Sequence, residues 1–322
     1  MDSEDPTFDG KTVGFRSRAT LTGVDGLAGW TRAVRPGLLR RADPAEVTAA
    51  LAQLTRFGPF FAVHLDQPDN AAPSVAERIS SAASRLGTQD RRVAASILFQ
   101  GIAARLWSPV LGCLATVGIV PDLPAPTQWQ LRDDGGGELC VPHPGGWIAT
   151  EDADDVAALV ERIVIRNVLQ PLAEEFRAAQ PIACGLLWGN VASALVGTLR
   201  VLQRGAADNR AADDPLTVAV VLRLLDAPPL AGTAALGTSG KLDDFRRRSC
   251  CLYYRIPHGG RCGDCALDRT PTATARSATA RSGTPTETTS AELSHPSRQD
   301  RRSTVGYPIG VITSGPLAKD PG

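Results

Sequence analysis

The chain is poor in the residues that usually carry acid–base chemistry. It has four histidines, His64, His143, His258 and His295, and no H-E-x-x-H or H-x-x-E-H pair that would set two imidazoles on one metal. His64 and His143 therefore read as ordinary surface or core histidines. No G-x-S-x-G elbow marks a serine nucleophile. Gly237–Lys241, GTSGK, has the look of a phosphate loop, but Ala235 and Leu242 occupy the positions where that loop needs a glycine and a Ser or Thr. No G-x-G-x-x-G follows a strand, so the chain shows no motif of its own for a nucleotide or nicotinamide. Lysine occurs only at Lys11, Lys241 and Lys319. Lys and Arg together number 34, as do Asp and Glu. That balance leaves no net field to attract nucleic acid or an anionic membrane.

Neither an export signal nor a membrane span is expected. The opening MDSEDPTFDGK has neither a basic start nor an apolar run, which argues against a secretory leader and makes the cytoplasm the expected compartment. The longest uncharged run lies between Arg177 and Arg200. Pro181 sits near its start, and Gln180, Asn190 and Ser193 interrupt it, so its helix falls short of the ~20 apolar residues of a membrane span. It reads as a buried core helix, and no transmembrane segment is expected.

What remains is mostly helical. Asp43-Pro44 opens a helix with Val47, Leu51 and Leu54 on one face, ending near Gly58-Pro59. Pro59–Leu65, PFFAVHL, is short and aromatic enough for a strand. Helices follow over Pro73–Leu86 and Asp90–Trp107, with Pro109 expected to break or kink the second. WQLRDDGGGELCVPHPGGWIA holds two apolar runs around a glycine turn, a β-hairpin signal. Asp152–Val168 carries Val156, Leu159, Val160, Ile163, Val164 and Val168 on one stripe. Helices over Ile182–Leu202 and from Pro215 to Leu225 complete a mainly α fold with a small β element, an α+β class. The expected organisation is a helical domain over 1–240, a cysteine-rich segment over 241–269, and a tail over 270–322. The tail is nearly all Thr, Ser, Ala, Pro and Arg, too polar to offset the entropy of ordering.

Cysteine is used sparingly except in one place. Cys113, Cys140 and Cys184 sit in apolar segments and are expected in the core. The other four of seven, Cys250, Cys251, Cys262 and Cys265, share SCCLYYRIPHGGRCGDC. In a reducing compartment such a group points to metal or catalysis more than to disulfides. Cys262-x-x-Cys265 is a standard chelate, but Cys250-Cys251 is not, because neighbouring residues of an extended chain point opposite ways. Adjacent cysteines serve one site only through a local turn, or by reaching two metal atoms. A two-iron cluster offers two metals and asks for four thiolates. Arg246, Arg247, Arg248, Arg255, Arg261 and Arg269 surround the motif and would favour the more negative, reduced form of such a centre. Gly259, Gly260 and Gly263 leave backbone amides room to approach the sulfurs. His258 lies inside the loop and offers an imidazole in place of a cysteine.

C-C-x10-C-x2-C resembles the signature of the ferric siderophore reductases typified by FhuF. RRVAASILFQGIAARLWSPVLG, Arg91 to Gly112, and LLWGNVASAL, Leu186 to Leu195, agree with it, so the resemblance spans roughly Arg91 to Asp268. The tail after Asp268 departs from the pattern. The resemblance implies a [2Fe–2S] protein that passes one electron to siderophore-bound Fe(III), with Cys250, Cys251, Cys262 and Cys265 as cluster ligands. It further implies a ferric siderophore, of hydroxamate type, as substrate. The missing nucleotide motif implies a separate electron donor. A peripheral position beside a siderophore importer is compatible with the chain. Arg105, Trp107, Trp188 and Asn190, from the two agreeing segments, are candidates for a substrate pocket. Two other readings stay open: a zinc-stabilised binding or scaffold protein, and an iron–sulfur sensor without turnover.

Overall fold

A computed structural model of the chain describes residues 40–66, 73–123, 130–132, 138–205, 214–236 and 242–268. The expectations for residues 1–39 and for the tail after Asp268 lie outside these.

Two long helices form the centre. The first, α3 (Arg91–Val117), begins at Asp90, whose carboxylate accepts from the amides of Arg92 and Val93, and ends where Gly118 turns into the left-handed region at φ 68°. Of the break or kink expected at Pro109, the break does not occur: the helix continues through it, 27 residues in all. Proline removes one backbone donor and crowds the carbonyl four residues earlier. Here the helix is buried on all sides from Val93 to Ala115, and that packing outweighs the lost bond. Immediately before Pro109, Ser108 Oγ donates to the Ala104 carbonyl at 2.7 Å.

The second long helix, α6 (Cys184–Gly205), makes the most extensive contact of any element with α3. Both are long and apolar enough to cross a membrane by length and composition, and both are enclosed by the rest of the chain. Polar bonds set their register. Trp107 Nε1 donates to the Val191 carbonyl at 3.2 Å. Gln100 Nε2 reaches Ser193 Oγ at 3.2 Å.

Shorter helices pack around this pair. They are α1 (Pro44–Gln53), capped by Asp43, and α2 (Val75–Arg85), opened by a Ser74–Glu77 capping box. A continuous run follows of α4 (Ala153–Val160), a π-helical stretch (Glu161–Leu169) and α5 (Gln170–Ala179). All six residues of the expected stripe are buried. Their spacing of three and four fits α geometry equally well, so the stripe does not reveal the π turn. The last helix is α7 (Pro215–Leu225), capped by Asp214.

Strands are short. β1 (Arg40–Arg41), β6 (Gly145–Ile148) and β3 (Ile119–Asp122) form one antiparallel sheet. The expected hairpin is present as β4 (Gln130–Arg132) against β5 (Glu138–Cys140), with Leu131 opposite Leu139. The strand expected over Pro59–Leu65 shrinks to β2 (Val63–His64), parallel to β5. Pro59–Phe61 coils into a 3-10 turn instead, because Pro59 fixes φ and cannot donate to a ladder. Phe61 is buried there.

The smallest sheet matters most for the site. β7 (Ala234–Ala235) pairs with β8 (Arg246–Arg247), with Ala234 opposite Arg247. Successive strand residues face opposite ways. Arg246 is therefore exposed and Arg247 is 2% exposed, aimed at α3 and α6.

The α3 core is anchored by Phe99, which meets Phe176 of α5 edge-on with ring centroids 5.1 Å apart. Phe99→Ala is expected to cost about 3–5 kcal/mol of stability, read from urea denaturation. A loss below about 1 kcal/mol would show that α3 does not organise the core.

Candidate metal centre

The cysteine segment follows β8 directly. Ser249 Oγ donates to the Gly185 carbonyl at 3.1 Å, at the start of α6. Cys250 and Cys251 come next, and Leu252 then takes a left-handed conformation at φ 68°. This is the local turn that adjacent cysteines require. The Leu252 amide donates back to Cys250 Sγ at 3.3 Å. The second half repeats the device: the Leu267 amide donates to Cys265 Sγ at 3.4 Å, and the Cys265 amide bonds the Cys262 carbonyl at 3.1 Å. Amide donors of this kind favour the anionic form of a sulfur.

The sulfurs gather in a small pocket of their own. Cys251, Cys262 and Cys265 are buried together with Tyr253 against them, while Cys250 is half-buried. Cys251 Sγ and Cys262 Sγ are 3.7 Å apart. Burial raises the Cys250 thiol above its ordinary range. Within the close pair, the hydrogen bond between the two thiols lets the first ionise early. Helped by the Arg247 charge, it lowers Cys251 to about 6 and raises Cys262.

Arg247 is the counter-charge. Its Nη2 lies 2.7 Å from Cys262 Sγ and 3.0 Å from Asp264 Oδ1. Its Nη1 lies 2.7 Å from Asn190 Oδ1 and 3.4 Å from Gln100 Oε1. Burial opposes the guanidinium charge, but Asp264 and the thiolates more than offset it, so Arg247 stays protonated well above its usual range. Asn190 Nδ2 donates to both the carbonyl and Oγ of Ser96, at 2.8 and 3.0 Å. Ser96 Oγ donates to the Cys251 carbonyl at 2.7 Å. The network therefore runs from the sulfurs through Arg247 and Asn190 into α3 and back to Cys251.

The structure separates the six arginines that the sequence grouped. Arg246 and Arg248 are exposed. Arg255 pairs with Asp90 at 3.0 Å and Arg261 with Asp268 at 2.7 Å, both near the surface. Arg269 lies outside the described residues. His258 is exposed, with φ 59°. The Gly259 amide does not approach a sulfur; it bonds the Ile256 carbonyl at 2.9 Å. Cys113 and Cys140 are buried as expected, burial pushing Cys113 up to about 12. Cys184 is a correction: it starts α6 and is exposed.

The four residues considered for a substrate pocket have internal contacts. Arg105 is buried, with its guanidinium 4.3 Å above the Phe60 ring. Trp107 and Trp188 are packed in the core, and Asn190 is fully enclosed in the Arg247 network. Ser96, Gln100 and Asp264 were not singled out from the sequence. Only Asp264 carried a signal there, by its place inside Cys262-x-x-Cys265.

Residues 247–267 match the family described as the FhuF 2Fe-2S C-terminal domain. No curated protein matches the chain. The matched segment contains all four clustered cysteines together with Arg247 and Asp264. The chain thus carries a FhuF-type [2Fe–2S] domain over those residues.

The residues present fit that group. The 3.7 Å between Cys251 and Cys262 is close to the ~3.8 Å kept by two thiolates at ~2.3 Å from one tetrahedral metal. A pair at that spacing is what a two-iron group asks of each iron. Arg247 Nε is buried with no partner among the described residues, a cationic donor beside the sulfurs with capacity left for an anionic acceptor. Asp264 Oδ2 is likewise unpartnered.

Gly259 holds the turn between the two cysteine pairs. A Cβ there would run into the Tyr253 carbonyl oxygen, and into the Ile256 carbonyl oxygen at 2.9 Å. Gly259→Ala is expected to cost about 1–3 kcal/mol by overpacking, seen as a lower denaturation midpoint. Gly260→Ala, with nothing within 4 Å of its Cβ, should leave the midpoint within about 0.5 kcal/mol. Equal effects at the two glycines would contradict the turn.

Proposed function

We propose that this protein is a ferric siderophore reductase, and that Cys250, Cys251, Cys262 and Cys265 hold its [2Fe–2S] cluster. Cys251 and Cys262, 3.7 Å apart, have the spacing of two thiolates that would share one metal ion. One observation carries the reading: three cysteines buried together, one of them touching a buried guanidinium, in the segment that matches the FhuF 2Fe-2S domain. When bound, such a cluster supplies electrons one at a time.

The substrate is Fe(III) held by a siderophore of hydroxamate type. Its hard oxygen ligands hold Fe(III) far more tightly than Fe(II), so a single electron loosens the chelate. No general acid or base is needed, which agrees with the scarcity of histidine. The chain's own residues hold the sulfurs, keep water from three of them and balance their charge.

Electron exchange takes place on the Cys250 side. Cys250 is the one sulfur of the four that is only half-buried. Two of the exposed large apolar residues belong to the same segment: Tyr254 at 49% and Leu267 at 45%. A separate donor supplies the electron, since the sequence has no nucleotide motif. The reaction belongs in the cytoplasm, where an imported ferric siderophore arrives, with room for peripheral association beside the importer.

The test mixes anaerobically reduced protein with a ferric hydroxamate siderophore and a ferrous-iron trap. One trapped Fe(II) is expected for each electron the protein held. Reoxidation by other acceptors without iron release from the siderophore would favour a sensor and contradict the reductase. Cys251→Ser is expected to lose or alter the visible spectrum of the protein as isolated; an unchanged spectrum would remove Cys251 from the ligand set.

A further inference from the structure

Five of the six arginines near the cysteines lie at the surface or outside the described residues. Arg247 differs in three respects. It is 2% exposed, it touches a ligand sulfur, and Asp264, Asn190 and Gln100 hold its guanidinium in place. A charge in that position acts with little screening by water or salt. A hydrogen bond to a thiolate and a nearby cation both stabilise the more negative state of an iron–sulfur centre. Asp264 has the opposite sign, is just as buried, and shares the same Nη2.

We propose that Arg247 and Asp264 form a buried pair that sets the electron affinity of the cysteine site, with Arg247 raising the reduction potential and Asp264 moderating it. Arg247 acts through Cys262, so it is a positioning and tuning residue. The inference rests on the [2Fe–2S] reading above and goes beyond it by assigning opposite roles to two residues of the same network. A purely structural ion pair would behave differently: breaking it from either end would loosen the site in the same way. A tuning pair shifts the potential in opposite directions.

The experiment is anaerobic spectroelectrochemistry on the full-length protein carrying its cluster, with iron and sulfide counted for each variant. Arg247→Gln is expected to weaken one-electron reduction about tenfold or more, equivalent to ~59 mV. Asp264→Asn is expected to shift it in the opposite direction. Arg247→Lys keeps the charge but not the forked contacts, and should fall between wild type and Arg247→Gln. Arg261→Gln removes an exposed charge paired with Asp268 and should change the equilibrium by less than about threefold, since exposed charges are screened.

If Arg247→Gln fails to hold iron, Arg247→Lys and Asp264→Asn decide the matter. Shifts of the same sign in the Arg247 and Asp264 variants, or none in either, would overturn the proposal while leaving the [2Fe–2S] reading intact. Wild-type protein without iron and sulfide would instead overturn that underlying reading.

Discussion

The site depends on one buried guanidinium. Arg247 sits where the Cys262 sulfur, one carboxylate and two amide side chains meet. An unpaired charge in such a place would cost several kcal/mol. The structure avoids that cost only because the surrounding groups are anionic or are acceptors. The same logic explains the sulfurs. Thiolates brought together this closely repel one another, and a fixed cation lets them ionise and accept metal. Removing either side leaves the other exposed to an apolar interior. The cysteines, Arg247 and Asp264 are therefore one unit.

That unit is fastened to the fold by its neighbours. Asn190 belongs to α6 and Ser96 to α3, and these helices make the most extensive contact among the described elements. Ser96 returns the chain of bonds to the Cys251 carbonyl. The two-stranded sheet β7–β8 fixes which arginine points inward, since a shift of one residue would bury Arg246 instead. The helical body thus gives the cysteine segment a rigid floor, while Cys250, Tyr254 and Leu267 remain nearer to solvent.

Much of this was legible in the sequence. Asp43-Pro44, Asp152 and Pro215 marked helix starts because capping and the fixed φ of proline are local chemistry. The stripe from Val156 to Val168 marked a buried face because its period is helical. The cysteine spacing pointed to a two-metal site because adjacent residues cannot easily share one ion. Where packing overrode local preference, the sequence misled. Pro109 was expected to break or kink its helix, and burial on all sides keeps that helix from breaking, while Pro59–Leu65 was expected to extend where a 3-10 turn forms. Arg247 stood in a row of three arginines, and only the strand pairing, a contact distant in sequence, separates it from its neighbours. Asn190 attracted notice as a polar residue in an apolar helix. Its partners, Ser96 and Arg247, lie 94 and 57 residues away, beyond any local pattern.

The central claim is that the four sulfurs hold two irons bridged by sulfide. Protein purified without oxygen, and assayed for iron, acid-labile sulfide and zinc, tests this most directly. Two irons and two sulfides per chain, as the [2Fe–2S] domain requires, are the expected result. A colourless protein containing a single zinc and no sulfide would contradict it.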